Sequence, residues 1–142
     1  MIVLDTSGLL MAYQKAGSPE PEVLDVLRGE RGPLILSPFV LAELDYLLLR
    51  RAGVEAELRM LDDVAAGVYR LTAFDRNEMA LANSVVHRYR DLEIGLADAS
   101  IVVLAERHKT TRVLTFDHRH FRAMKPLQGG SFTILPADGD NG

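Results

Sequence analysis

Residues 1–5, MIVLD, in the opening MIVLDTSGLL (1–10), decide how the rest of the chain is read. Their apolar side chains run on without alternation. An unbroken run predicts a strand covered on both faces, as in the interior of a parallel sheet. The same character returns in PLILS (33–37), VYRLT (68–72), RVLTF (112–116) and SFTILP (131–136). Helical patterns fill the gaps at 9–14, 21–28, 38–51, 54–65, 75–90 and 98–107, with a short one at 119–124. Strands alternating with helices predict an α/β fold whose central sheet is mainly parallel and flanked by helices.

Local chemistry marks several boundaries. Ser37 before Pro38 reads as an N-cap followed by proline at the first helical position, and Gly53 ends that helix. Asp75 with Glu78 three residues on reads as a capping box. The tail ADGDNG (137–142) has little to bury and is expected to fray.

The chain has 142 residues, 48% of them hydrophobic, which fits one domain over 1–136. A domain of this size buries roughly 70% of its unfolded surface and folds without staples. With no cysteine, disulfides, thiolate metal sites and cysteine nucleophiles are all excluded. Sixteen basic against twenty acidic residues give a net charge of −4, which argues against coating nucleic acid by bulk charge. No apolar run approaches the roughly 20 residues of a membrane span, and the opening lacks a basic leader. A soluble cytoplasmic protein with no membrane contact is expected.

Ligands of open parallel sheets bind beyond the carboxyl ends of the strands. Asp5 closes the first strand and Asp117 follows the strand RVLTF, so both project to one rim. Glu43 lies in an apolar helix among Val40, Leu41, Leu44, Leu47 and Leu48, where a carboxylate is costly unless exposed or paired. Asp98 opens the apolar segment DASIVVLAERH (98–108). Each acid also has a purely structural reading. Asp5, Asp98 and Asp117 suit helix caps or first turns, and Glu43 suits a solvent stripe, although neighbouring Asp45 fits that role better.

Four converging carboxylates must bind protons or admit a hard divalent cation, Mg²⁺ or Mn²⁺. Two such ions would cancel a local charge of −4 and let the site accept a phosphodiester. Thr6, Ser7 and Thr115 are candidate groups for orienting those acids, with turn or cap hydroxyls as the alternative. His118, Arg119, His120, Arg122 and Lys125 follow Asp117 closely and are candidate contacts for the phosphates of such a substrate, or else a solvated basic surface.

The blocks IVLDTSGLL, Glu43 in its helix, GLADASIVVLAER and VLTFDHRHF, followed by a closing TILP, resemble the signature blocks of PIN-domain nucleases. They are most similar to the VapC-type toxins of bacterial toxin–antitoxin pairs, in order from Ile2 to about Pro136. The resemblance implies a three-layer α/β/α fold and a metal-dependent endoribonuclease leaving 5′-phosphate and 3′-hydroxyl ends. It implies catalytic and metal-binding roles for Asp5, Glu43, Asp98 and Asp117, the last at a position that varies more in the family. It also implies a small cognate antitoxin whose tail enters the acidic groove, and a homodimer formed through the early helices. The helix segment VLAELDYLLLRRAG (40–53), apolar around much of its circumference, agrees with that dimer or with complete burial in a monomer.

Two other readings compete. His118 and His120 could serve as general base and acid in a metal-free ribonuclease that leaves a 2′,3′-cyclic phosphate, although residues two apart on a helix do not share a face. A non-catalytic module of the same fold would bind RNA or protein without cleavage. A dinucleotide site is excluded because no G-x-G-x-x-G follows the first strand. A haloacid-type phosphatase would need a second Asp where Ser7 stands, and a receiver domain would need a paired acidic start.

Overall fold

The structure is a computed structural model describing residues 1–14 and 20–139. Among these, β1 (Ile2–Leu4), β2 (Leu34–Leu36), β3 (Arg70–Leu71), β4 (Arg112–Leu114) and β5 (Thr133–Leu135) form one parallel sheet in the order β3-β2-β1-β4-β5. Flanking them are α1 (Thr6–Tyr13), α2 (Pro21–Gly29), α3 (Pro38–Ala52), α4 (Val54–Ala65), α5 (Arg76–Arg88), α6 (Leu96–His108) and α7 (His118–Ala123). No helix of the described residues is long and apolar enough to cross a membrane.

Successive strand residues point to opposite faces. Ile2, Val3 and Leu4 are all fully buried, as are Ile35, Leu36, Val113 and Leu114, so both faces of the central strands are covered. This is the α/β/α arrangement. VYRLT contributes only the two exposed residues of β3, an edge strand kept short, which limits unwanted pairing.

The caps are as the side chains dictate. Ser37 Oγ accepts from the backbone N–H of Phe39 at 3.1 Å, and Asp75 and Glu78 form a reciprocal capping box. Two helix starts differ from the sequence reading by more than one residue. α6 begins at Leu96 with Gly95 as its N-cap, which places Asp98 third in the helix. α1 begins at Thr6 rather than at residue 9. Thr, Ser and Gly are weak helix formers, and tertiary packing overrides them here. Tyr13 at the far end of α1 donates to Asp63 Oδ2 of α4 at 2.5 Å and meets the Tyr69 hydroxyl, which secures that end.

Gly8 lets the start of α1 lie on β4. A Cβ at this position would stand 2.6 Å from the Leu114 carbonyl oxygen, inside any tolerable contact. Gly8→Ala should therefore push α1 off the sheet and cost about 2–3 kcal/mol. Urea unfolding measures this, and an unchanged midpoint would contradict the contact.

The strand order reverses between β1 and β4: the chain winds outward through β2 and β3, then crosses to β4 and β5. Such a switch point leaves a crevice at the carboxyl ends of the strands. Asp5 stands at its floor, its N–H donating to the Leu114 carbonyl at 3.0 Å.

Candidate active site

A cleft of 300 Å³ opens at this point, lined by Asp5, Thr6 and Ser7 from β1–α1, Glu43, Leu47 and Arg51 from α3, Asp98 from α6, and Asp117 before α7. Four acids from four separate segments thus share one cavity. α3 sorts its residues by helical spacing. Val40, Leu44 and Leu48 are buried in the core, while the adjacent stripe Glu43, Leu47 and Arg51 faces the cleft. Glu43 is exposed, which spares it the cost of an apolar setting. Asp45 is half-buried against Glu57 of α4, so the solvent stripe expected there belongs elsewhere.

Asp5 is only 4% exposed. Its Oδ2 accepts from Thr115 Oγ1 at 2.6 Å and from Ser7 Oγ at 2.9 Å. Each hydroxyl has a single hydrogen, so both are committed to this carboxylate. Their lone pairs then accept backbone N–H groups, Asp117 N on Thr115 Oγ1 and Phe116 N on Ser7 Oγ, each at 2.9 Å. The effect is a rigid tie between the ends of β1 and β4. Thr6 differs from these two. Its backbone N–H supports Asp5, whereas its buried hydroxyl has no partner among the described residues.

Burial pushes the Asp5 carboxyl up, opposed by the hydroxyls of Thr115 and Ser7, with added repulsion from Asp117. Burial also pushes Asp98 up to about 6, reinforced by the charge on Asp5 and opposed by its hydrogen bond to His120. The charges of Asp5 and Asp117 both oppose ionisation of Asp98, a repulsion that positive charge in the cleft would relieve.

The five basic candidates after Asp117 do not line the cleft. His118, Arg119, Arg122 and Lys125 are exposed. Both guanidinium ends of Arg122 donate to Asp138, whose Oδ2 also accepts from Ile134 N at 2.7 Å. That contact ties the Pro136–Asp138 turn down, and residues 140–142 of the expected frayed tail lie outside the described residues. Lys125 Nζ donates to the Arg122 carbonyl.

His120 lies instead beside the acids, with Nδ1 2.8 Å from Asp98 Oδ2 and 2.9 Å from Asp117 Oδ2. Asp117 Oδ1 meanwhile caps α7 by accepting His120 N–H at 3.1 Å. The basic residue in the cleft wall is Arg51, which the sequence reading passed over. Its place eight residues beyond Glu43, with Leu47 midway, was the available signal. For His120 the signal was the Asp-x-x-His spacing, since residues at N-cap and N3 face each other across a first turn.

A hard divalent ion fits this donor set. The cleft offers carboxylate oxygens, an acid whose proton affinity is raised by burial and by the charge on Asp5, and a buried hydroxyl without a partner among the described residues. Among the described residues, Asp98, Asp117 and His120 also bring donor atoms within 4.8 Å of one another.

Comparison with known proteins places the chain in a family. A PIN domain family model matches residues 2–126. Ribonuclease VapC26 of Mycobacterium tuberculosis strain H37Rv is 42% identical over 135 residues, 95% of this chain and 100% of that protein. The crystal structure of M. tuberculosis VapC20, a Sarcin-Ricin loop cleaving toxin, superposes with a TM-score of 0.73 at 22% identity, covering 82% of this chain and 90% of that one. A toxin–antitoxin complex from Klebsiella pneumoniae superposes with a TM-score of 0.66 at 15% identity, covering 87% and 92%. A match to the family model that takes in all four cleft acids, with a relative this similar over nearly its full length, places the chain in the PIN-domain family, beside the VapC ribonucleases.

Proposed function

We propose that the cleft is the active site of a metal-dependent endoribonuclease, the toxin of a VapBC-type toxin–antitoxin pair. The observation carrying this is the meeting of Asp5, Glu43, Asp98 and Asp117 in one cleft, with Asp98 held up to about 6. Similarity to a ribonuclease along nearly the whole chain supports the choice of RNA. A purely binding module would have no need of acids such as Asp5 and Asp98, which burial makes costly to ionise.

In this reading Asp5, Glu43 and Asp98 hold Mg²⁺ or Mn²⁺, and Asp117 completes the cluster. When bound, such an ion offsets the charge of the phosphodiester and acidifies water near neutral pH. The chain's own groups do the rest. Ser7 and Thr115 aim the Asp5 carboxylate, and the Thr6 hydroxyl is free to meet an incoming polar group. Arg51, which lines the same cleft, would engage a substrate phosphate through its fork of N–H donors.

The metal-free two-histidine route loses support from the geometry. Both ring nitrogens of His120 are engaged, Nδ1 by the acids and Nε2 by the Leu92 carbonyl at 3.2 Å, and His118 points to solvent as an exposed residue. EDTA should abolish cleavage of a labelled RNA, and Mn²⁺ or Mg²⁺ should restore it, with 5′-phosphate and 3′-hydroxyl ends. Cleavage persisting in EDTA, or 2′,3′-cyclic ends, would overturn the assignment.

The proposed partners follow from surface chemistry. An acidic cleft suits a basic side chain from the tail of a small antitoxin. Tyr46 and Leu49 of α3, with Val54, Leu58 and Leu61 of α4, expose apolar surface on neighbouring helices, which suits an isologous homodimer. Light scattering should find a dimer at micromolar concentration. A cytoplasmic site of action completes the reading.

A further inference from the structure

In a chain with twenty acidic residues, the stretch 118–137 contains no Asp or Glu, and neither does 79–90. The fold packs these two stretches together. Tyr89 Oη accepts the backbone N–H of Lys125 at 3.0 Å, just past the end of α7. Nearer the start of α7, His120 Nε2 lies 3.2 Å from the Leu92 carbonyl, in the 3-10 turn Arg90–Leu92. Arg88 closes α5 and Arg90 opens that turn, so the two flank Tyr89 where it meets α7 and its Arg119 and Lys125. All four basic side chains are exposed. Among the described residues none of the four is in an ion pair, whereas Arg122 is held by Asp138. Asp91 and Glu93 are the acids of the turn, and against four cations they leave this rim net positive.

We propose that this basic rim, formed by Arg88, Arg90, Arg119 and Lys125, binds the RNA strand beyond the scissile phosphate. The proposal rests on the reading of the cleft as a ribonuclease site. Rim and cleft adjoin: Asp117 lines the cleft and caps α7, and Gly95 of the cleft wall follows the turn Arg90–Leu92. Their charges are opposite, and one ligand satisfies both. The acidic cleft requires a cation before a phosphate can enter it. Arginines outside it meet neighbouring phosphates directly, through paired charged hydrogen bonds. The net charge of −4 gives the rest of the surface no general attraction for nucleic acid, so the rim is where flanking phosphates are held. A basic peptide suited to the cleft is repelled by the rim, and an acidic peptide suited to the rim is repelled by the cleft. Contacts of this kind grip the backbone and read no bases. The rim therefore governs how tightly the RNA around the cut is held, not where the cut falls.

Fluorescence anisotropy in EDTA at low salt reads the rim alone, using a 5′-fluorescein oligouridine of about 20 nucleotides, longer than a typical single-strand site. Arg88→Ala, Arg90→Ala and Arg119→Ala should each weaken binding about fivefold and flatten the slope of log affinity against log salt by about 0.7. The double variant Arg28→Ala/Arg31→Ala should bind as wild type. Those arginines are also exposed, but flank Glu30 beside the Met1 amine at the amino end of the sheet. No binding by the wild type, or rim variants that bind as well as wild type, would overturn the proposal. An equal loss in Arg28→Ala/Arg31→Ala would also overturn it, by showing that the attraction is diffuse. Displacement of the RNA by polyglutamate at matched charge would assign the rim to an acidic protein segment instead. Cleavage of a labelled RNA in Mn²⁺ reads the cleft separately. There the rim variants should need more RNA to saturate yet reach the wild-type rate, and a rate that stays low at saturation would overturn the binding role. RNA held by the rim in EDTA but never cut in Mn²⁺ would defeat the ribonuclease reading of the cleft, a failure distinct from that of the rim.

Discussion

Asp5→Asn should lower RNA cleavage on the order of 10³-fold while leaving the fold intact. The amide is isosteric with the carboxylate and can still accept the Ser7 and Thr115 hydrogen bonds through its oxygen, so the tie between β1 and β4 survives. What disappears is a full negative charge in a buried setting, 4% exposed, where the attraction for a divalent ion is least screened. A loss of about 4 kcal/mol of charge stabilisation corresponds to that change in rate. Because burial works against the ionised Asp5, the metal-free variant should melt no lower than wild type. Single-turnover cleavage with a parallel thermal melt measures both halves. Activity within tenfold of wild type would remove Asp5 from the site.

Asp98→Asn should move activity and stability in opposite directions. Asp98 has its pKa raised from 3.8 to about 6 in the folded chain, by burial first and then by the charge on Asp5. A raised carboxyl binds its proton more tightly folded than unfolded. Its stabilising contribution is therefore full below about pH 4 and is lost as pH climbs to about 6. Metal-free wild type should lose up to about 3 kcal/mol across that window through this group, and Asp98→Asn should not. At pH 7 without metal the variant should be the more stable, by about 1–2 kcal/mol once its weakened contact with His120 is deducted. Mn²⁺ should reverse the order by stabilising wild type, and cleavage should fall on the order of 10³-fold in the variant. Urea unfolding in EDTA at pH 4.5 and pH 7 decides the stability half. A metal-free variant less stable than wild type at pH 7 would refute the electrostatic account.

The site expresses a trade between stability and function common where charges are gathered for chemistry. Burial and mutual repulsion among Asp5, Asp98 and Asp117 make it costly to gather these charges in the cleft. The ties that hold it together, Thr115 and Ser7 on Asp5 and His120 on Asp98 and Asp117, are hydrogen bonds between residues brought from separate elements. Those ties explain how the acids stay close with no help from the solvent-exposed side of the molecule.

Legibility differed between the two levels of structure. Strand identity was open to reading in MIVLD, PLILS and RVLTF, because full burial on both faces demands unbroken apolar runs. Ser37 and the Asp75–Glu78 box were equally open, since a cap is satisfied within four residues. The helical start at Thr6 was not, because it depends on Gly8 meeting Leu114 across more than a hundred residues. Nor was the role of His120, whose ring is oriented by Asp98 and Leu92 rather than by its own helix. The basic residues after Asp117 were natural candidates by proximity in sequence, yet Arg122 turns to Asp138 and the cleft receives Arg51.

By itself the sequence determined the alternation of strands and helices, the four acids and the order in which they occur, because hydrophobic periodicity and capping act over a few neighbouring residues. Only the tertiary structure decided which oxygens of those acids are committed and which basic side chain reaches the cleft. Hydrogen bonds and charge interactions among Asp5, Asp98, Asp117 and His120 fall off over a few ångströms, and that closeness comes from the crossover between β1 and β4, not from spacing along the chain.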